Sequence, residues 1–253
     1  MSITSLAADD GTSSRGTRVL GILTLVGTAA VAYLGLVATG PDVIQRDSVR
    51  LIYVHVPMVS VMYVPVAICS IASLLWLRKR SDGWDALAVA AAEVATVFVG
   101  LGLVTGAIWG RPTWGVYWTW DARLTSTAML FILLLGYLTM RRLPDERSVR
   151  TKRAAVVGLL LIPNAIIVKF SVDWWLTLHQ DATITRADAQ IEGLQQFTLI
   201  LSVVVGYLGM AWLMVHRFRI AWLESRIEDR GLDLAIAERR AEGDTLVATG
   251  GDQ

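Results

Sequence analysis

Few residues in this chain have the types and spacing to do chemistry: three histidines, a cluster of tryptophans and some charged groups beside them. His55 stands in Tyr53-Val54-His55-Val56-Pro57, and His179 in Trp174-Trp175-Leu176-Thr177-Leu178-His179-Gln180. Between them runs WGRPTWGVYWTWD, Trp109–Asp121, with four of the chain's ten tryptophans. Imidazole is a common metal ligand and a frequent axial ligand of haem iron. Indole faces make a flat apolar platform with N–H donors at its edges. Two imidazoles flanking such a platform could supply both axial ligands of a haem iron whose ring stacks on the indoles. A lone loop histidine is more often structural, so this reading requires His55 and His179 to meet on one side of the fold. His216, beside Arg217, reads as a surface group.

The elements that must bring them together are membrane spans. The chain has 253 residues, 54% hydrophobic and 18% charged, where soluble domains average about 45–50% and about 25%; its mean hydropathy is +0.52. This composition excludes a disordered chain and argues against a soluble enzyme. A net charge of +1 offers no basic field for nucleic acid. The single Cys69 rules out an internal disulfide framework and a CxxC site. No nucleophile–base pair, nucleotide loop or CxxCH attachment site is present, so no catalysis by this chain is expected. Stretches of about 20 apolar residues mark membrane helices. They predict six spans: Val19–Ala38, one within Leu51–Leu77, one near Ala86–Ile108, one near Leu124–Met140, Ala154–Phe170 and Phe197–Val215. The expected fold is all-α, a six-helix polytopic bundle with a tryptophan-rich outward loop. Residues 1–18 form an N-terminal segment without a cleavable signal, 19–215 the membrane domain and 216–253 a partly helical tail.

Lysines and arginines set the expected orientation. The N-terminal segment and the second and fourth connections carry 11, and the other side carries 6. Both termini are therefore predicted cytoplasmic and the odd-numbered loops outward. Six tryptophans fall on that outward side: Trp109, Trp114, Trp118, Trp120, Trp174 and Trp175. An interfacial aromatic belt is the bland alternative, though a belt would be spread over both faces. Gly110, Pro112 and Gly115 are expected to stop the third helix before the platform. Pro57 is expected in the first turn of the second span, with Pro65 kinking it. Gly102, Gly106 and Gly110 read as packing glycines, and Glu93 as a hydrogen-bonded or protonated carboxyl. In the tail, Ile220, Leu223, Ile227, Leu234 and Ala237 suggest an amphipathic helix for a partner or the membrane surface. A helix that is simply solvated is the equal alternative.

The motif WGxxWxWD followed by Ala122-Arg123-Leu124-Thr125-Ser126 resembles the tryptophan-rich WWD signature of the CcmC family. The YVHVP and WWLTLHQ segments match that family's pattern in order, and the resemblance covers Val19 to about Val215. Related synthetase-type proteins share WGxxWxWD but continue Asp-Pro-Lys-Glu, whereas this chain continues Asp121-Ala122-Arg123-Leu124. Two residues depart from the family's usual pattern: Tyr117 where tryptophan is common, and Lys169 where histidine is often found. The resemblance implies a haem-handling protein of the bacterial inner membrane that serves cytochrome c maturation. It implies haem b bound non-covalently on the outer face and presented to the haem chaperone CcmE. The implied companions are the ABC-type subunits CcmA and CcmB and the small protein CcmD. His55 and His179 would then be the axial ligands. Trp114, Gly115, Trp118, Trp120 and Asp121 would form the haem-binding segment, 109–123, with 171–196 as the second histidine loop.

Haem propionates would need cationic or N–H partners, for which Arg123 and Arg50 are the candidates; Arg123 could equally pair with Asp121. Asp121 is also well placed as the N-cap of the fourth span, and a partner-binding role stands beside that one. A cytochrome b subunit for electron transfer and a permease for an amphipathic molecule are the competing readings.

Overall fold

The computed structural model describes residues 14–179, 191 and 193–250, with side chains described except at 232, 235 and 242–250. The expectations for 1–13, 180–190, 192 and 251–253 lie outside the described residues. Regular structure among the described residues is helical, with one isolated β-bridge between Asp42 and Arg46. Helix α1, Arg15–Tyr33, is capped by Ser14, whose hydroxyl accepts the Thr17 N–H at 3.3 Å. It loosens into a π-helical turn at Leu34–Ala38. A Cβ on Gly35 would lie 2.8 Å from the Tyr53 ring, so glycine lets this turn close on the next span.

The connection from α1 is a tight Asx turn. Asp42 Oδ1 accepts the amides of Gln45 at 2.7 Å and Ile44 at 2.8 Å. Those N–H bonds, Gln45 first, hold the Asp42 carboxyl below its ordinary value of 3.8. A depressed carboxyl stabilises the turn above the ordinary carboxylate pKa and loses that contribution as the pH falls through its own lowered value. The turn is therefore held at neutral pH, and it fixes where Gln45 points.

A 3-10 turn, Asp47–Leu51, leads into α2, Ile52–Val61, and after a break at Met62 into α3, Tyr63–Lys79. Pro57 thus lies well inside α2 rather than in its first turn, because the 3-10 turn starts the span earlier than the proline suggests. Pro65 does mark an interruption: lacking an N–H, it cannot bond the Val61 carbonyl, and the helix breaks just there. Helix α4 is Asp82–Trp114 and α5 is Ala122–Met140. The next span repeats the device of the second, with α6, Arg147–Leu159, a break at Leu160 and α7, Leu161–Trp174, carrying Pro163 three residues on. Helix α8 runs Gly193–Gly250, so the sixth span continues as one helix through most of the tail. All six predicted spans are present as helices long and apolar enough to cross a membrane.

The core lies between α3, α4 and α5. Ala91, Ala92 and Ala95 are fully buried with Val66, Val99, Leu130 and Leu134, and the alanines let α4 approach its neighbours closely. Glycines do the same for α1 and α8: a Cβ on Gly27 would meet Val205 at 2.6 Å, and one on Gly21 would meet Trp212 at 3.0 Å. Val19, Ile22, Leu25 and Val26 of α1 are exposed, the surface a lipid-facing helix presents.

At the end of the bundle opposite the tryptophan loop, the basic connections are ion-paired. Buried Asp85 takes both terminal nitrogens of Arg141, which also donates to Thr151 at 3.0 Å. Arg147 bonds Asp229 at 2.5 Å and Asp82 at 3.1 Å, and Arg150 bonds Glu228. These pairs tie the α3–α4 and α5–α6 connections to the tail helix. Glu93 pairs with Arg217 of α8 at 2.5 Å, so its in-membrane carboxyl is satisfied by a cation. The apolar tail stripe is not folded back on the chain: Ile227 is 69% and Leu234 66% exposed.

Candidate haem site at the tryptophan-loop end

His55 is the fourth residue of α2 and is 8% exposed. Its ring meets α4 by its Cε1 edge, where a Cβ on Gly106 would come within 2.9 Å of Cε1. Its Nδ1 is 3.1 Å from the Thr105 hydroxyl. Trp109, one turn on, stands edge-on to the His55 ring at 5.7 Å and donates its indole N–H to Gln45 at 2.8 Å. The Asx turn of the first loop thereby braces the wall beside His55.

Helix α4 continues through Gly110 and Pro112 to Trp114, further than those residues suggest. Pro112 sacrifices one bond to the Ile108 carbonyl, and the helix absorbs that loss. What ends it is Gly115, at φ 80°, whose N–H bonds the Arg111 carbonyl at 3.0 Å. Only glycine adopts this left-handed conformation without strain. Gly115 is therefore a helix terminator that turns the chain back toward the site. Gly110 also serves the loop rather than the bundle, since a Cβ there would sit 3.1 Å from the Val116 carbonyl and 3.2 Å from the Trp114 ring. Of the three glycines read as packing residues, only Gly102 packs on an aliphatic neighbour, Val59.

His179 comes from the far loop, and Asp121 brings it in. Asp121 Oδ1 caps α5 by accepting the Leu124 N–H at 2.8 Å, and Oδ2 accepts the Leu178 N–H at 3.3 Å. One carboxylate thus caps a helix and straps the residue next to His179. Asp121→Ala is expected to cost about 1 kcal/mol at the cap and to speed hydrogen exchange at the Leu178 amide. Unchanged exchange there would refute the strap.

The rings of His55 and His179 stand with centroids 6.5 Å apart and tilted by 40°. Two imidazoles on opposite sides of one metal, each at a bond of about 2 Å, place their centroids about 6 Å apart. The two rings therefore stand near the spacing that a shared ion would need. Among the described residues no group of three or more His, Cys, Asp or Glu side chains could hold a metal. Haem iron carries four equatorial donors of its own and takes two more, which a pair of imidazoles can supply.

Both histidines line one cavity of about 900 Å³, part of it open to the outside, together with Trp109, Trp114, Trp118 and Arg123. Trp114 meets the His179 ring at 6.1 Å. Arg123 is held by Nε–H donation to Ser171 at 2.9 Å and a longer contact to the Lys169 carbonyl at 3.4 Å. Its partners are therefore on α7 rather than Asp121. Arg50, the other candidate cation, faces a different cavity with Tyr53 and Thr28 and bonds the Gly35 carbonyl at 2.7 Å. The Trp118 indole nitrogen is buried with no hydrogen-bond partner among the described residues. A buried indole N–H normally finds an acceptor, and a polar group of a ligand would supply one.

Of the eight residues singled out in the sequence, His55, His179, Trp114, Trp118 and Arg123 meet at the cavity. Gly115 and Asp121 shape it from behind. Trp120 lies outside it, 83% exposed and edge-on to Trp118 at 5.6 Å. Tyr117 is exposed beneath the Arg111 guanidinium at 5.7 Å, so the tyrosine at this position takes nothing from the cavity wall. Spacing alone missed Gln45, Thr105 and Gly106. A small residue with a hydroxyl beside it, one turn ahead of Trp109, was the only trace of the last two.

Comparison with known proteins identifies the family. The profile of the family described as CcmC, heme exporter protein C, matches residues 5–232. Heme exporter protein C of Haemophilus influenzae is 34% identical over 206 residues, 80% of this chain and 82% of that protein. The Escherichia coli K12 protein of the same name is 36% identical over 182 residues, 70% of this chain and 72% of its own length. A putative cytochrome c biosynthesis ccmC-like mitochondrial protein of Marchantia polymorpha is 38% identical over 168 residues, 65% of this chain and 69% of that one. With the family profile matched over residues 5–232, this polytopic helical bundle with a tryptophan-rich loop and two histidines at one end belongs to the CcmC family of heme exporter proteins.

Proposed function

We propose that the chain binds haem b non-covalently at the tryptophan-loop end of the bundle and hands it on for cytochrome c maturation. In this reading His55 and His179 are the axial ligands, and the loop end faces outward across the bacterial inner membrane with both termini cytoplasmic. The recipient is the haem chaperone CcmE, and CcmA, CcmB and CcmD complete an ATP-driven complex in which this chain is the non-catalytic haem-binding subunit. The observation that carries the reading is the pair of imidazoles at 6.5 Å, on the wall of a cavity with indole faces and one cation. The names of the relatives, heme exporter protein C, support the same cargo.

The residues divide the work by position. His55, buried on a helix, is the fixed ligand; His179, half-buried on a strapped loop, is the ligand that can withdraw when cargo leaves. Bis-imidazole ligation fills both axial positions and hinders dioxygen from reaching the iron. Trp114 and Trp118 cover the apolar macrocycle, and Arg123 meets a propionate charge. Trp120, 83% exposed beside Trp118, faces whatever approaches the site.

Purification from cells supplied with haem tests this directly. The wild-type chain is expected to retain haem with a six-coordinate low-spin spectrum; a chain that takes up none would refute the reading. Trp118→Ala is expected to weaken haem binding about 10-fold, the loss of roughly 1.4 kcal/mol of aromatic contact. Trp120→Ala is expected to leave binding near wild type and slow transfer to CcmE. Equal effects of both on binding would contradict the division between cavity wall and docking face.

A further inference from the structure

Thr105 has a bonding arrangement that the haem reading by itself does not require. Its hydroxyl lies 2.7 Å from the Leu101 carbonyl, one turn back on α4, and 3.4 Å from that of Gly102. A hydroxyl has one hydrogen, and the short contact to Leu101 takes it. The oxygen that faces His55 Nδ1 at 3.1 Å therefore has only lone pairs to offer. A lone pair facing an imidazole nitrogen requires that nitrogen to carry the proton. Nδ1 is then the donor, and Nε2 is left with its lone pair bare.

The backbone makes this arrangement hard to escape. At Gly106 an added Cβ would be 2.9 Å from Cε1, 3.4 Å from Nδ1 and 3.8 Å from Nε2. The imidazole is seated by its Cε1 edge on the one residue type that admits it. Trp109, edge-on at 5.7 Å, closes another side.

We propose that Thr105, with Gly106, is a positioning residue that fixes His55 as the Nδ1–H tautomer and reserves Nε2 for the iron. The proposal rests on the reading of His55 as a haem ligand. It assigns a role to a residue that touches no cargo. Donation from Nδ1–H to a neutral oxygen also raises the electron density on Nε2, which favours the oxidised metal. The Gly102 carbonyl also accepts from the His55 ring, so removing the hydroxyl weakens this bias without abolishing it and raises the share of the Nε2–H tautomer, in which the ligand nitrogen is blocked.

The test has two independent readouts. In the full-length chain without haem, labelled with 15N-histidine, His55 is expected to show a protonated Nδ1 and a bare Nε2. Thr105→Val, of nearly the same shape, is expected to shift that balance toward Nε2–H, and Thr105→Ser to restore it. With haem, Thr105→Val is expected to bind about 10- to 100-fold more weakly, the usual cost of losing an outer partner of a ligating histidine. Its iron is also expected to be reduced at a higher potential than the wild type, with Thr105→Ser again close to wild type. Wild-type nitrogen signals, affinity and potential in Thr105→Val would overturn the proposal. A serine variant that behaves like valine would overturn it too, because the methyl group rather than the hydroxyl would then be at work. If His55 shows the fixed tautomer yet the chain binds no haem, the haem reading fails and the positioning by Thr105 stands as a feature of the apo site alone.

Discussion

His55→Ala and His179→Ala are each expected to abolish the six-coordinate low-spin haem spectrum and to weaken haem binding more than the roughly 10- to 100-fold that an outer partner costs. The two losses should differ in kind. His55 is 8% exposed and seated against α4, so its removal leaves a closed, imidazole-shaped space beside Gly106. Added imidazole is expected to enter that space and restore the low-spin spectrum. His179 sits on a loop held by the Leu178–Asp121 bond, and its removal opens the site to water. There a five-coordinate or water-ligated spectrum is expected, with weaker rescue. Low-spin spectra in both single variants without added imidazole would remove the histidines from the ligand set.

Gly106→Val is expected to match His55→Ala in lost haem while leaving the fold intact. Even one added carbon would stand 2.9 Å from His55 Cε1, so a branched side chain must push the imidazole off its seat. Gly102→Ala, one turn earlier on the same helix, is the control. There the added carbon meets only a Val59 methyl at 3.1 Å, which can yield. Overpacking costs about 1–3 kcal/mol in either case, so similar thermal stability with divergent haem content separates ligand seating from packing. Equal haem retention in the two variants would contradict the assignment of Gly106 to the site.

The fold was legible because the bilayer imposes it. Length and hydropathy alone locate all six spans, and Pro65 announces the break at Met62. Helix ends are less legible, because proline marks a boundary only where the surrounding helix does not tolerate it. Pro57 and Pro112 both lie within helices, and the turn after α4 is set by the left-handed Gly115 instead. At the site, residue type located the histidines, the indoles and Arg123, since each carries its chemistry on its face. Residues that act through shape or a single bond had no such signature. Gly106 looked like one of three packing glycines, Arg50 looked as eligible as Arg123, and Asp121 served as cap and strap at once. Those roles depend on which helix faces which, and one-dimensional spacing does not carry that information.

The central claim is that His55 and His179 close on one iron. A cryo-EM structure of the chain with haem, alone or with its complex partners, tests it most directly. The account predicts iron between the His55 Nε2 and the His179 ring, with the macrocycle against Trp114 and Trp118 and a propionate toward Arg123. Haem ligated by any other residue, or seated in the second cavity beside Arg50, would contradict it.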